Sequence, residues 1–212
     1  MKNILIPSTL QNDTINAVKT AIHSANGNPC QFTLMLLADI PDTFSSASLL
    51  RNINTGLNST QENVLDVCRQ IISETKNCSL KIHHQYGISS PVFKNLVSHF
   101  NIGLTIITPS FKSSKKKINS FCIQIISNSK CPILHTKTTF DKDMFSQALY
   151  IKNSDSQLHA EDLQAYVNTL FSLKIVSESD TNGSQPSLND TIAKNNINIL
   201  IETRKPKKLK LL

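Results

Sequence analysis

Short apolar runs alternate with longer stretches of helical periodicity through the first 137 residues, and this alternation limits the fold more than any other feature of the chain. Residues 2–7 are apolar, end at Pro7 and are too few for a helix, so they read as a strand buried on both faces. Residues 11–24 then place Ile15, Val18, Ala21 and Ile22 at helical spacing, with Thr9 or Asn12 as N-cap and Gly27 positioned to stop the helix. Residues 32–38 form a second buried strand. After a polar loop over 39–57, Ser59 or Thr60 opens a helix carrying Val64, Val67, Cys68, Ile71 and Ile72 on one face.

The pattern continues with a strand over 79–85, a turn at Tyr86-Gly87, and a helix capped at Ser89-Ser90-Pro91 that carries Val92, Phe93, Leu96 and Val97. A fourth strand over 104–108, a helix over 118–128 with Phe121, Cys122, Ile125 and Ile126 inward, and a fifth strand over 132–136 complete the unit. Parallel strands need crossover connections, so strict strand–helix alternation implies an α/β fold with an open parallel sheet and helices on both faces. The alternation restarts at residues 145–152, with a helix over 159–171, a strand over 173–177, a turn-rich loop over 179–185, a short helix over 188–194 and a strand over 198–202. These readings divide the chain into a domain of residues 1–137 and a shortened second α/β domain of residues 138–212.

The charge is uneven. Of the net +7, all arises before residue 138, and no carboxylate lies between Glu74 and Asp141, whereas Lys112, Lys115, Lys116 and Lys117 cluster there. Such a stretch attracts an anionic small molecule, or is a solvated basic loop that discourages self-association. The five cysteines are never closer than nine residues, which fits reduced, mostly buried thiols in the cytoplasm and neither a disulfide framework nor a zinc site. His83 and His84 are adjacent on a strand, so one is expected in the core and one on the surface. No apolar run reaches membrane-spanning length, and no signal peptide precedes the first strand, so no membrane association is expected. The basic tail RKPKKLKLL lacks interleaved aromatics, so no specific nucleic-acid binding is expected.

The segments KNILIPSTLQNDTINAVKTAI, IHHQYGISSPVFKNLVSHFNIGLTIITPS and SFCIQIISNSKCPIL resemble the first, third-to-fourth and last elements of the universal stress protein family. ALYI and NINILIETRKPKKLKLL are similar to the start and a later part of the second copy in its tandem members. The resemblance implies a HUP-like sheet of strand order 3-2-1-4-5, and pairing of two chains as a homodimer through strand five. It also implies a ligand site where the loop after strand one meets the loop after strand four. Nucleotide-binding members carry an aspartate in the first loop and a glycine-rich phosphate loop in the second, because glycine lets the backbone approach phosphates closely.

By that correspondence the site residues are Pro7, Ser8, Thr9, Ala38, Thr108, Pro109, Ser110, Ser113, Asn119 and Ser120. Thr9 stands where the aspartate would be, Pro109 or Ser110 replaces the first glycine, and Asn119-Ser120 takes the place of the terminal Gly-Ser. With the glycines gone, binding of ATP or AMP in the family manner is not expected, no cofactor is assigned, and Lys112, Lys115, Lys116 and Lys117 are the candidate anion-binding groups. Ser113 and Ser114 beside these lysines resemble a phosphoacceptor context, a weak signal in a serine-rich loop. No carboxylate is expected in the cleft loops, and no histidine falls at a spacing that suggests a Ser-His or Cys-His pair. The chain therefore reads as a non-catalytic binding or regulatory module of the stress-response kind. The alternatives are a nucleotide-binding member with slow ATP hydrolysis and a structural protein acting only through its dimer surface.

Overall fold

The computed structural model of the chain describes residues 3–40, 57–137, 139–140, 146–152, 159–169, 173–180 and 185–203. The chain divides into two compact units, Met1–Phe140 and Asp141–Leu212. The first contains β1 (Asn3–Pro7), α1 (Asn12–Ala25), β2 (Cys30–Ala38), α2 (Ser59–Ser73), β3 (Cys78–Tyr86), α3 (Ser90–His99), β4 (Ile102–Ile107), the single turn α4 (Pro109–Lys112), α5 (Lys117–Asn128) and β5 (Ile133–His135). All five strands are parallel, in the order β3-β2-β1-β4-β5 that the resemblance implies.

β1 is central, with β2 and β4 as its neighbours, and Ile4 to Pro7 are all buried. Alternating side chains serve opposite faces. Leu5 joins Met35 and Leu37 of β2, Phe93 and Leu96 of α3, and Ile118, Cys122, Ile125 and Ile126 of α5 in one apolar cluster. Ile4, Ile6, Phe32 and Leu34 have the opposite parity and serve the face covered by α1 and α2, whose Ala17, Val18, Ala21, Val64, Leu65 and Cys68 are buried. Asn3 fixes the start of β1: its Nδ2 donates to the Phe100 carbonyl at 2.7 Å, and its Oδ1 accepts from the Gln31 N–H at 3.0 Å.

Helix ends follow local chemistry. Asn58, one residue before the expected start, makes a reciprocal capping box with Gln61 at α2, and Ser89 caps α3 by accepting from the Val92 N–H. α1 has no side-chain cap: Gln11 holds the N-cap position in place of Thr9 or Asn12. It ends at Asn26, in the left-handed region at φ 48°, before Gly27. The expected inward positions of Val67 and Phe121 are corrected, since the two side chains are 39% and 50% exposed. In each helix the buried stripe begins at Val64 or Ile118 and turns toward Leu65 or Asn119, which leaves the residue three positions on about 60° outside it. The loop expected directly after β4 is instead helical at α4.

The second unit contains β6 (Gln147–Lys152), α6 (Ala160–Asn168), β7 (Lys174–Asp180), α7 (Gln185–Lys194) and β8 (Ile199–Glu202), in a parallel sheet of order β7-β6-β8. As in the first unit, the first strand lies between the next strand and a later one, and Ala148, Leu149 and Tyr150 of β6 are buried in succession. β7 runs past the expected strand end to Asp180, so the loop expected over 179–185 is shorter. Residues 41–56 of the expected polar loop and the tail 204–212 lie outside the described residues.

The packing gives a direct comparison between two phenylalanines. Phe32→Ala, at a fully buried position, should cost about 3–5 kcal/mol in urea unfolding. Phe121→Ala should cost about 1 kcal/mol or less. Equal losses at the two sites would contradict the packing described.

Candidate functional site

The strand order reverses between β1 and β4, so the loops after these two strands leave toward opposite faces and a crevice opens at the carboxyl ends of the strands. An open cleft of about 1230 Å³ occupies that place, walled by the loop after β1, the ends of β2 and β3, the start of α2, and residues 110–119.

The loop after β1 is held in a fixed shape by its own hydroxyls. Leu10 is fully buried with φ 54°, a conformation that branched or bulky residues rarely adopt. Its N–H donates to Ser8 Oγ at 2.8 Å, and Ser8 Oγ shares a second hydrogen bond of 2.8 Å with Thr14 Oγ1 of α1. Gln61, already part of the α2 capping box, reaches the Thr9 carbonyl with its Nε2 at 3.3 Å and so joins α2 to the same loop.

Opposite this loop, Thr108 caps α4 by accepting the Phe111 N–H, and Pro109 takes the first helical position, where its missing N–H costs nothing. The next residue, Ser110, is gripped from α1. Both the Ser110 N–H and its Oγ donate to the Asp13 carboxylate, each at 2.7 Å. Ser110 Oγ is also 3.0 Å from Thr9 Oγ1 and 3.3 Å from Thr108 Oγ1. Asp13 lies in the first turn of α1 and is buried, so one carboxylate sits at the positive ends of two helical segments. The carboxylate thus takes a backbone N–H of the loop after β4.

Of the residues proposed from the sequence, Ser8, Thr9, Ala38, Ser110, Ser113 and Asn119 line the cleft. Pro7 and Thr108 are buried beneath it, and Pro109 and Ser120 are not in its lining. Among the four lysines only Lys116 lines it; Lys112, Lys115 and Lys117 are exposed elsewhere on the surface. Asn119 is buried and its Nδ2 donates to Ser114 Oγ at 2.9 Å, so the position of the expected glycine is used to brace the loop over 113–116.

Several lining residues were missed. Gln61 lies far along the chain in a helix cap, while His84 and Tyr86 are exposed residues at the carboxyl end of the edge strand. Asp39 lines the cleft, which corrects the expectation that no carboxylate would do so. Asp13 carried one legible signal, an acid in the first turn of a helix whose N-cap offers no better acceptor than Gln11. Of the histidine pair, His83 is half-buried with its ring 5.3 Å from that of Phe100, and His84 is exposed.

The cleft is chemically mild. Its lining is mostly hydroxyls and amides over Leu36, Leu37 and Leu57, with Asp39 and Lys116 of opposite charge. Among the described residues neither His84 nor Asp39 hydrogen-bonds a cleft hydroxyl, and no three His, Cys, Asp or Glu side chains are placed to hold a metal ion. Asp13→Ala leaves the Ser110 N–H without its acceptor and the Ser110 hydroxyl with only Thr9 and Thr108 as partners, and should cost about 2–4 kcal/mol in urea unfolding. Paired with Ser110→Ala, which keeps the N–H bond and removes the hydroxyl, it should show a coupling of about 1–3 kcal/mol in a double-mutant cycle; strict additivity would mean that the hydroxyl–carboxylate bond contributes nothing.

No family model and no curated protein matches the chain. Among solved structures it is similar to universal stress protein UspA from Lactobacillus plantarum, at 17% identity and a TM-score of 0.46, over 64% of this chain and 97% of that one. A universal stress protein in complex with cAMP is similar at 12% identity and a TM-score of 0.44, over 65% of this chain and 98% of that one. A functionally unknown protein from Pseudomonas aeruginosa is similar over 96% of this chain and 74% of its own, at 14% identity and a TM-score of 0.47. The chain resembles universal stress proteins in its sequence motifs, and universal stress proteins are among the solved structures to which it is similar.

Proposed function

We propose that the protein is a universal stress protein-like binding or regulatory module, without catalytic activity, whose cleft does not take nucleoside polyphosphates. The observation that carries this reading is the Asp13 carboxylate on the Ser110 N–H and hydroxyl. A phosphate brought to that loop meets an amide already in use and a buried negative charge beside it, while Lys116 alone among the clustered lysines faces the cleft. Hydroxyls and amides above an apolar floor suit a small ligand of low charge. Reduced thiols at Cys30, Cys68, Cys78, Cys122 and Cys131 are in keeping with a cytoplasmic setting. No helix of the described residues is long and apolar enough to cross a membrane.

Thermal denaturation with ATP, AMP, cAMP and polyphosphate tests the reading, because a ligand selective for the native state raises Tm. At a concentration 100-fold above its Kd, a ligand should raise Tm by about 5–10 °C for a chain of this size. ATP at roughly 1 mM should move Tm by less than about 1 °C. A shift of several degrees with ATP would overturn the exclusion.

The second part of the reading is a homodimer through β5. That strand is at the end of the sheet order, and its Ile133 and Leu134 are half-buried. Such an edge gains backbone hydrogen bonds by pairing with a second copy. Sedimentation should give a dimer mass that Ile133→Pro converts to monomer, because Pro132 and Thr136 carry the hydrogen bonds to β4 and the N–H of Ile133 faces the other edge. The fold should be kept by circular dichroism, and a wild-type monomer at all concentrations would reject it.

A further inference from the structure

The parallel pairing of β2 and β3 aligns Cys30 with Cys78, the first residue of each strand. Direct partners in neighbouring parallel strands project their side chains from the same face, with backbones about 4.8 Å apart, inside the roughly 4.4–6.8 Å Cα separation that a disulfide spans. Burial first, and next the neighbouring Cys78, push the Cys30 thiol up to about 11. Burial raises Cys78 as well. Cys68, Cys122 and Cys131 have no such counterpart among the strand partners.

We propose that Cys30 and Cys78 form a redox site, a thiol pair that a peroxide closes to a disulfide. The pair differs in access. Cys30 is 5% exposed, whereas Cys78 is half-buried on the outer strand of the sheet, so the oxidant meets Cys78. In the first step the Cys78 thiol gives up its proton, its sulfur attacks one peroxide oxygen to become a sulfenic acid, the O–O bond breaks, and the departing hydroxide takes up the released proton and leaves as water. In the second step the Cys30 sulfur attacks the Cys78 sulfur, the S–O bond breaks, and the hydroxyl departs with the Cys30 proton as a second water. Two thiols are oxidised by two electrons and one peroxide is reduced to two waters.

The sulfur atoms must close to bonding distance, which asks for a small inward shift of side chains about as far apart as the strands themselves. The site suits that shift, since both cysteines open their strands and among the described residues β3 is paired on one side only. The bond would close a loop from residue 30 to residue 78. That loop carries Leu36, Leu37, Ala38, Asp39, Leu57 and Gln61, which form one wall of the cleft at the opposite end of β2. Oxidation would therefore tie down the base of the segment that bears this wall.

The test is hydrogen peroxide treatment of the native, fully reduced chain, followed by alkylation and intact-mass and non-reducing peptide mapping. The expected result is a loss of the mass of two hydrogens per chain, with one dominant cross-link joining the Cys30 and Cys78 peptides, reversed by dithiothreitol. In Cys78→Ser the intramolecular link should disappear, while Cys122→Ser should keep it. The wild-type map does not depend on either variant folding. A native chain that gains only oxygen at Cys78, or that links other cysteines as often as Cys30 and Cys78, would overturn the proposal. So would a Cys30–Cys78 link formed only when the same treatment is repeated in denaturant.

Discussion

Everything in the first unit depends on placing five residues, Asn3 to Pro7, where water reaches neither their backbone nor the side chains of the last four. A strand in that position must find hydrogen-bond partners on both edges and apolar cover on both faces, because buried peptide groups left unpaired are costly. β2 and β4 supply the edges. The helices α1 and α2 cover one face and α3 and α5 the other, and Asn3 locks the entry of the strand to both neighbours. Once β1 is central, the reversal of strand order beside it follows, and with that reversal comes the cleft.

Within the cleft the decisive chemistry lies between two segments far apart in sequence. Asp13 and Ser110 meet because α1 and α4 begin at the same end of adjacent strands. Their contact satisfies the hydroxyl and amide of Ser110 within the protein and leaves a lining that is polar but nearly uncharged. A glycine-rich loop keeps its amides available for a ligand, whereas here the loop is closed upon itself by a proline at the first position of α4, a threonine cap and an internal carboxylate. The proline and the threonine cap restrict the backbone here, while the threonine hydroxyl and the carboxylate take up the loop's N–H donors.

The fold was largely legible because its signal is local. Apolar runs such as ILIP and TLMLLA are too short for helices, and the stripes at Ala17–Ala21 and Cys122–Ile126 recur at helical spacing, so element type followed from residues in the sequence itself. Strand order was not local and came from the resemblance. Val67 and Phe121 were misplaced because apolar character alone does not say toward which side a stripe turns, and in α5 the buried edge of the stripe is the polar Asn119. The cleft was legible in outline from the loops after β1 and β4. Gln61, His84 and Tyr86 were not, since nothing in their neighbourhoods distinguishes a side chain facing a cleft from one facing solvent. The adjacency of Cys30 and Cys78 was invisible for the same reason: spacing along a chain says nothing about register between strands.

The central position of β1 also sets a schedule. Ile4 pairs with Phe32 soon after it, but its partner on the other edge, Leu104, is about 100 residues further along the chain. At about 5–20 residues per second on the ribosome, that second neighbour is made roughly 5–20 s after the first strand. Once β2 and β3 have been made, a nascent sheet of β1, β2 and β3 has β1 at an open edge, with Ile4, Leu5 and Ile6 in a row. The finished molecule buries four of its five residues, yet during synthesis it is the strand that a chaperone has most reason to cover.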